Sequence, residues 1–123
     1  MPKVLLVEDD PLMYDLYQLF LKRKGHGVIL ATNGQIGLEE AKKENPDIIL
    51  LDMMMPKMDG LEVLHHLKKD PELAQIPVVV ISNLADQEYV NKALAAGAKE
   101  YILKSDYQSE ELDELIQRIL NPK

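Results

Sequence analysis

The feature that most constrains the fold is the regular alternation of short apolar runs with longer amphipathic stretches. Five such runs occur, at Val4–Val7, Val28–Ala31, Ile48–Leu51, Val78–Ile81 and Tyr101–Leu103. Strands that alternate with helices form parallel sheets, because a parallel connection must cross from one end of the sheet to the other. Nearly unbroken apolar strands such as VVVI are typical of sheets buried on both faces. The alternation therefore predicts a doubly wound α/β domain with five parallel strands and five helices.

The bounds of the helices are indicated by proline, glycine and the spacing of apolar residues. Pro11 suits a first helical turn, and Gly25 ends the first helix. The core-facing side of this helix is predicted to consist of four apolar residues at helical spacing, Leu12, Leu16, Leu19 and Phe20. The other helices are predicted at about Gly34–Glu44, Gly60–Lys69, Asp86–Ala96 and Gln108–Leu120, with Gly97 as the C-cap of the fourth. Gly37 lies inside the second helix, where glycine costs ~1 kcal/mol relative to alanine.

Length and composition exclude several classes of function. The chain has 123 residues, enough for one core, so we expect a single domain over residues 1–123 with no appended output domain. The net charge of −7 repels a phosphate backbone, which argues against direct nucleic-acid binding. With no apolar run of about 20 residues we expect no membrane insertion, and the early acidic residues do not fit a signal peptide, so a cytoplasmic location is expected. The chain has no cysteine, which excludes disulfides, thiolate nucleophiles and cysteine-based zinc sites.

Polar residues follow the predicted strands at the point where each strand ends. Glu8, Asp9 and Asp10 follow the first strand, Asp52 the third, Ser82 the fourth and Lys104 the fifth. Ligands of open parallel sheets bind beyond the carboxyl ends of the strands, where the strand order switches. Carboxylates about 4 Å apart repel by ~1–4 kcal/mol per pair, so such a group favours a bound cation. Hard oxygen ligands without cysteine or histidine nearby favour magnesium.

These motifs resemble the receiver domain of response regulators in two-component signalling, over essentially the whole chain. The resemblance rests on VEDD at 7–10, DMMMPKMDG at 52–60, Ser82 after VVVI, the GA pair at 97–98 and YILK ending in Lys104. It implies a flavodoxin-like fold with strand order 2-1-3-4-5. It also implies a signalling switch rather than an enzyme, whose only catalysis is its own phosphoryl transfer and dephosphorylation.

The resemblance implies specific roles for the residues at the strand ends. Asp52 would be the phosphoacceptor, and Mg²⁺ would be held by Glu8, Asp9, Asp52 and the backbone carbonyl of Met54. Ser82 and Lys104 would contact the phosphoryl group, and Tyr101 would swing inward when the loop containing Ser82 moves. The implied phosphodonor is a sensor histidine kinase or a histidine phosphotransfer protein. The implied binding face for a downstream protein is formed by the fourth helix, the fifth strand and the fifth helix.

Other functions remain alternatives at this point. A receiver-like module that binds a protein partner without phosphorylation would have the same fold. A flavodoxin-type cofactor carrier would want amide and hydroxyl donors after the first strand, where EDDP repels phosphate instead. The methionine run at 53–55 could suggest a soft copper site, although the hard oxygens nearby argue against it. The three histidines, His26, His65 and His66, are expected on the solvated surface.

One departure from the family pattern, and the residues at two positions that vary within the family, lead to further expectations. Ser105 replaces the proline that the family usually has after this lysine, so we expect a trans Lys104–Ser105 bond, because a cis bond before serine costs ~2.5–4 kcal/mol. The side chains two positions after Asp52 and after Ser82 are Met54 and Leu84, and neither can hold a water molecule by hydrogen bonds. We therefore expect a long-lived aspartyl phosphate.

Overall fold

The computed structural model describes residues 2–53, 58–83, 86–104 and 109–121. Within these ranges the chain forms one sheet of five parallel strands in the order β2-β1-β3-β4-β5, which confirms the predicted topology. The strands are β1 Lys3–Val7, β2 Gly27–Ala31, β3 Ile48–Asp52, β4 Val78–Ser82 and β5 Glu100–Leu103. Every residue of β3 and β4 is buried, as expected of central strands covered on both faces.

The helices cover the two faces of the sheet. They are α1 Pro11–Arg23, α2 Gly34–Glu44, α3 Gly60–Lys69, α4 Gln87–Ala95 and α5 Ser109–Leu120. One apolar cluster joins α2, α3 and α4 to the sheet, and a second joins α1 and α5 to the opposite face. The first four helices begin after side-chain caps, which satisfy N–H groups that would otherwise lack a partner: Asp10, Asn33, Asp59 and Asp86.

Two glycines meet local requirements of the helices, one at the end of α4 and one where α2 packs on the sheet. Gly97 follows α4 with a φ of +111°, so its predicted role at the end of that helix is confirmed. At Gly37, a Cβ atom would lie 3.0 Å from a methyl group of Val7 on β1. The loss of helix propensity at Gly37 is therefore offset by the close packing of α2 on the sheet.

The prediction for the core-facing side of α1 was wrong for its leucines. Leu12, Leu16 and Leu19 are 67%, 52% and 53% exposed. The side toward the sheet instead contains the fully buried Leu21, and Tyr17 packs there partly buried. The helix carries apolar residues on both sides, so spacing alone could not decide which side faces the core.

The prediction that His26 is solvated was also wrong. His26 is 3% exposed, and its Nε2 atom lies 2.7 Å from Oδ1 of Asp113 on α5. The other ring nitrogen, Nδ1, is buried and has no hydrogen-bond partner among the described residues. The partner is 87 positions away in the sequence, which is why no local pattern indicated it. His65 and His66 are exposed on α3, as predicted.

Three positions with sequence predictions lie outside the described residues. They are Met54, Leu84 and the Lys104–Ser105 peptide bond. In the part of the chain that is described, no helix is both long enough and apolar enough to cross a membrane.

Candidate metal and phosphoryl site

The strand register brings the predicted site residues to one edge of the sheet. Asp52 and Ser82 are the last residues of β3 and β4, and Glu8 and Lys104 directly follow β1 and β5. The backbone N–H of Glu8 donates to the carbonyl of Ala31, and that of Lys104 donates to the carbonyl of Ser82. These two bonds continue the sheet pattern by one residue, so the sheet fixes the backbone from which both charged side chains extend.

Three carboxylates lie close together at this edge. Glu8, Asp9 and Asp52 each offer an oxygen, and these oxygens all lie within 4.8 Å of one another. Glu8 and Asp52 are 1% and 5% exposed, so water screens their mutual repulsion poorly. Three hard oxygens at such distances fit a divalent cation of the magnesium type.

Lys104 neutralises part of this negative charge. Its Nζ atom lies 3.0 Å from Oε1 of Glu8 and 3.7 Å from Oδ2 of Asp52, and the lysine side chain is only 10% exposed. Burial would lower the pKa of Lys104, but the hydrogen bond that Lys104 donates to Glu8 and the charges of Asp52, Glu8 and Asp10 outweigh burial and raise the pKa. Lys104 is thus held as a cation between the two buried carboxylates.

Glu8 is fixed by contacts on both of its oxygens. Oε1 accepts from Lys104, and Oε2 accepts from the backbone N–H of Asp10 at 3.2 Å. Asp10 in turn caps α1 by accepting from the N–H of Leu12 at 3.0 Å. The three acidic residues after β1 therefore have different roles. Glu8 binds Lys104, Asp9 belongs to the group of three carboxylates, and Asp10 caps α1.

The loop after Asp52 is closed by the start of α3. The N–H of Gly60 donates to the carbonyl of Met53 at 3.0 Å, and Asp59 caps α3 by accepting from Glu62. A Cβ atom at Gly60 would lie 2.8 Å from Cα of Met53 and 2.9 Å from the carbonyl oxygen of Asp52. Only glycine lets the helix begin this close to the strand end, so Gly60 positions the backbone next to Asp52. The sequence motif included Gly60 but did not show this contact.

Three further polar side chains lie on elements that contribute to the site or flank it: Ser82 ends β4, Tyr101 lies in β5 and Tyr17 lies on α1. Ser82 is fully buried, and Tyr101 on β5 is half-buried and packs against the cluster that contains α3 and α4. Tyr17 on α1 was not singled out in the sequence, because it resembles an ordinary apolar helix residue. Burial, followed by the charges of Glu8 and Asp52, raises the pKa of Tyr17 to about 12, so its phenol stays protonated beside the carboxylates.

Comparison with known proteins gives consistent relatives. A sequence model of the family described as "Response regulator receiver domain" matches residues 4–119. The chain is 34% identical to Protein PilH of Pseudomonas aeruginosa over 105 residues, covering 85% of this chain and 86% of PilH. It is 35% identical to the transcriptional regulatory protein AfsQ1 of Streptomyces coelicolor over 120 residues, covering 98% of this chain and 52% of AfsQ1. Several curated relatives are matched over about half of their length or less.

A solved structure with a bound metal is also similar. It is the receiver domain of sensor histidine kinase PA1611 from Pseudomonas aeruginosa, described with a magnesium ion coordinated in the active-site cleft. The identity is 26%, the TM-score is 0.89, and the alignment covers 97% of each chain. The similarity therefore extends over the whole fold.

The position of Lys104 between buried carboxylates predicts a stability effect. We expect Lys104→Met to lower the free energy of unfolding by roughly 3 kcal/mol, because it leaves Glu8 and Asp52 without their cation. The folded-state pKa of Lys104 is raised, so its contribution is fully present below its ordinary value of 10.5 and is lost as pH rises through the folded value. The difference between wild type and variant should hold from pH 7 to 9 and shrink above about 10.5. Urea denaturation in a chelator measures it.

The matched control is Lys99→Met, which alters an exposed lysine next to the same strand. We expect its effect to stay within about 0.5 kcal/mol. Equal stabilities of Lys104→Met and Lys99→Met would contradict the assignment of Lys104 as the counter-charge of the site.

Proposed function

The chain belongs to the response regulator receiver domain family, and from this premise we propose that it accepts a phosphoryl group on Asp52. The donor would be the phosphohistidine of a sensor histidine kinase or of a phosphotransfer protein. An Asp52 oxygen attacks phosphorus in line, the new P–O bond forms, and the P–N bond breaks with its electron pair returning to the histidine. The observation that carries the proposal is the group of three carboxylate oxygens with Lys104 beside Asp52.

The chemistry of the carboxylate group supports magnesium as the cofactor. The carboxylates of Glu8, Asp9 and Asp52 would hold the ion. The backbone carbonyl of Met54 is proposed as a further ligand. When bound, Mg²⁺ would offset the charge that develops on the phosphoryl oxygens. Lys104 would supply a second positive charge to the same group.

Lys104 and Ser82 are proposed to make phosphorylation a conformational switch. Lys104 now binds Glu8 at 3.0 Å and lies 3.7 Å from Asp52, so a phosphoryl group on Asp52 would offer it a stronger anionic partner. Ser82, one strand away, would donate a hydrogen bond to the same group. Tyr101 would then move inward, and two states with different surfaces would result.

The proposed output surface is the face made by α4, β5 and α5. Lys104 directly follows β5, and Tyr101 lies in β5, so both would report the state of the site to this face. A downstream protein is the proposed partner. We propose no direct nucleic-acid contact, because the net charge of −7 repels a phosphate backbone. A cytoplasmic location is proposed from membership of the family alone.

The central test compares wild type with Asp52→Asn. We expect acetyl phosphate with magnesium to add one phosphoryl mass to wild type and none to the variant, because an amide oxygen is not a competent nucleophile. The fold should remain intact, since one negative charge is removed from a crowded acidic group. Intact-protein mass spectrometry and circular dichroism measure the two quantities.

The matched control for this test is Asp10→Asn, which keeps a good helix cap and leaves the three carboxylates in place. It should be phosphorylated like wild type, whereas Asp9→Asn should lose magnesium binding. A wild type that gains no phosphoryl mass would favour the alternative, an interaction module that acts without phosphorylation.

The proposed output face predicts where the surface changes. With beryllofluoride as the phosphoryl mimic, amide chemical shifts of wild type should change over α4, β5 and the start of α5. Asp52→Asn should show no such change, because the mimic requires the carboxylate. Shift changes confined to α1 and α2 would contradict the proposed face.

The apolar side chains at Met54 and Leu84 are proposed to slow hydrolysis of the aspartyl phosphate. We expect Met54→Asn with Leu84→Gln to shorten its lifetime by roughly tenfold or more, because amide side chains can hold the attacking water in line. Loss of phosphoryl mass after removal of the donor measures the lifetime. Leu94→Gln, on the exposed side of α4, is the control, and a double variant that decays no faster than this control would refute the proposal.

A further inference from the structure

The exposed side of α1 carries a leucine stripe that has the spacing of a helix-pairing surface. Leu12, Leu16 and Leu19 are separated by four and then three residues, and each is more than half exposed. Arg23, four residues further, continues the same line and is also exposed. This spacing is the pattern by which two helices pack along a shared seam, and it runs along nearly all of the 13-residue helix α1.

The residues beside the leucine stripe have a definite arrangement of charge. On one side lie Asp15 and Lys22, seven residues apart, both exposed. Among the described residues neither forms an ion pair within the chain. On the other side lie Met13 and Phe20, also seven residues apart and both partly exposed. One border is therefore charged with opposite signs at its two ends, and the other is apolar.

This arrangement is complementary to itself when the second helix runs in the opposite direction. In an antiparallel pair, Leu16 of each copy faces Leu19 of the other, Asp15 faces Lys22, and Met13 faces Phe20. In a parallel pair, Asp15 would instead face the Phe20 border of the other copy, and the charges would not match. We propose that the leucine stripe of α1 binds a second copy of this chain in a symmetric antiparallel dimer.

The dimer would also involve the rim of the carboxylate site. In the antiparallel pair Arg23 of one copy faces Leu12 of the other, close to Asp10, which caps the start of α1. A guanidinium group thus approaches the acidic run after β1 in each copy. The two sites lie at opposite ends of the paired helices, and dimer formation makes no use of phosphorylation.

The size of the surface sets the expected affinity. A pair of 13-residue helices buries less than the roughly 1,600 Å² of a standard interface. The net charge of −7 on each copy opposes association further. We therefore expect a dissociation constant on the order of 0.1 mM, a value typical of small interfaces.

A charge-exchange experiment tests the pairing directly. Sedimentation equilibrium of the purified chain, without phosphodonor and at physiological salt, should show wild type dimerising. Asp15→Lys alone places two lysines opposite each other, and Lys22→Asp alone places two aspartates opposite each other, so each variant should weaken self-association by about tenfold or more. An equimolar mixture of the two variants should form a heterodimer at least as tight as the wild-type dimer.

Two further variants separate this surface from the rest of the molecule. Leu16→Glu should abolish the dimer, and Leu94→Glu on α4, which is 45% exposed, should leave it unchanged. Because the altered side chains are exposed, circular dichroism should show the native fold for each. A wild type that remains monomeric at millimolar concentration, or a mixture that does not recover association, would overturn the proposal. A monomeric wild type whose phosphotransfer from a donor protein is slowed by Leu16→Glu would assign the stripe to the donor instead.

Discussion

The rest of the structure depends on holding carboxylates together at the carboxyl ends of the strands. Glu8 and Asp52 are almost fully buried, yet each follows a run of four apolar strand residues, Val4–Val7 and Ile48–Leu51. The charge that makes this possible comes from the far edge of the sheet. Lys104 follows β5, which is separated from β1 by two strands, or about three spacings of 4.8 Å. The long lysine side chain reaches back across the strand ends to Glu8, so the strand order and the chemistry of the site depend on each other.

The close approach of two helices to the sheet helps to fix the backbone of the carboxylate site. Gly60 allows α3 to begin against the backbone of Asp52 and Met53, and Gly37 allows α2 to lie on Val7, the residue before Glu8. In both places a side chain on the helix would push it away from a strand end. The backbone that carries the acidic residues is therefore fixed by packing as well as by sheet hydrogen bonds, and the repelling carboxylates cannot separate easily.

Elements that follow from local pattern could be predicted from the sequence, and contacts between distant residues could not. The five strands were placed within one residue of their ends, because unbroken apolar runs with polar ends leave few alternatives. Asp52, Ser82, Glu8 and Lys104 were brought to one edge by the topology alone. The burial of His26 depends on Asp113, far along the chain, and the orientation of α1 depends on which of two apolar sides fits the sheet. Both are decided by tertiary packing, which spacing in the sequence does not encode.

The division of the core into two clusters has a consequence for the order in which the chain can fold during synthesis. Among the described residues, the cluster beneath α2, α3 and α4 contains none from α5, so it can form while α5 is still inside the ribosome. The opposite cluster needs Leu112, Leu115 and Ile116 of α5. His26 can form its hydrogen bond only when Asp113 of the same helix is in place. That face of the nascent sheet is therefore covered by α1 alone, and His26 lacks Asp113, until α5 has left the ribosome. For this domain, the period of greatest exposure to chaperones and to aggregation lasts until α5 emerges.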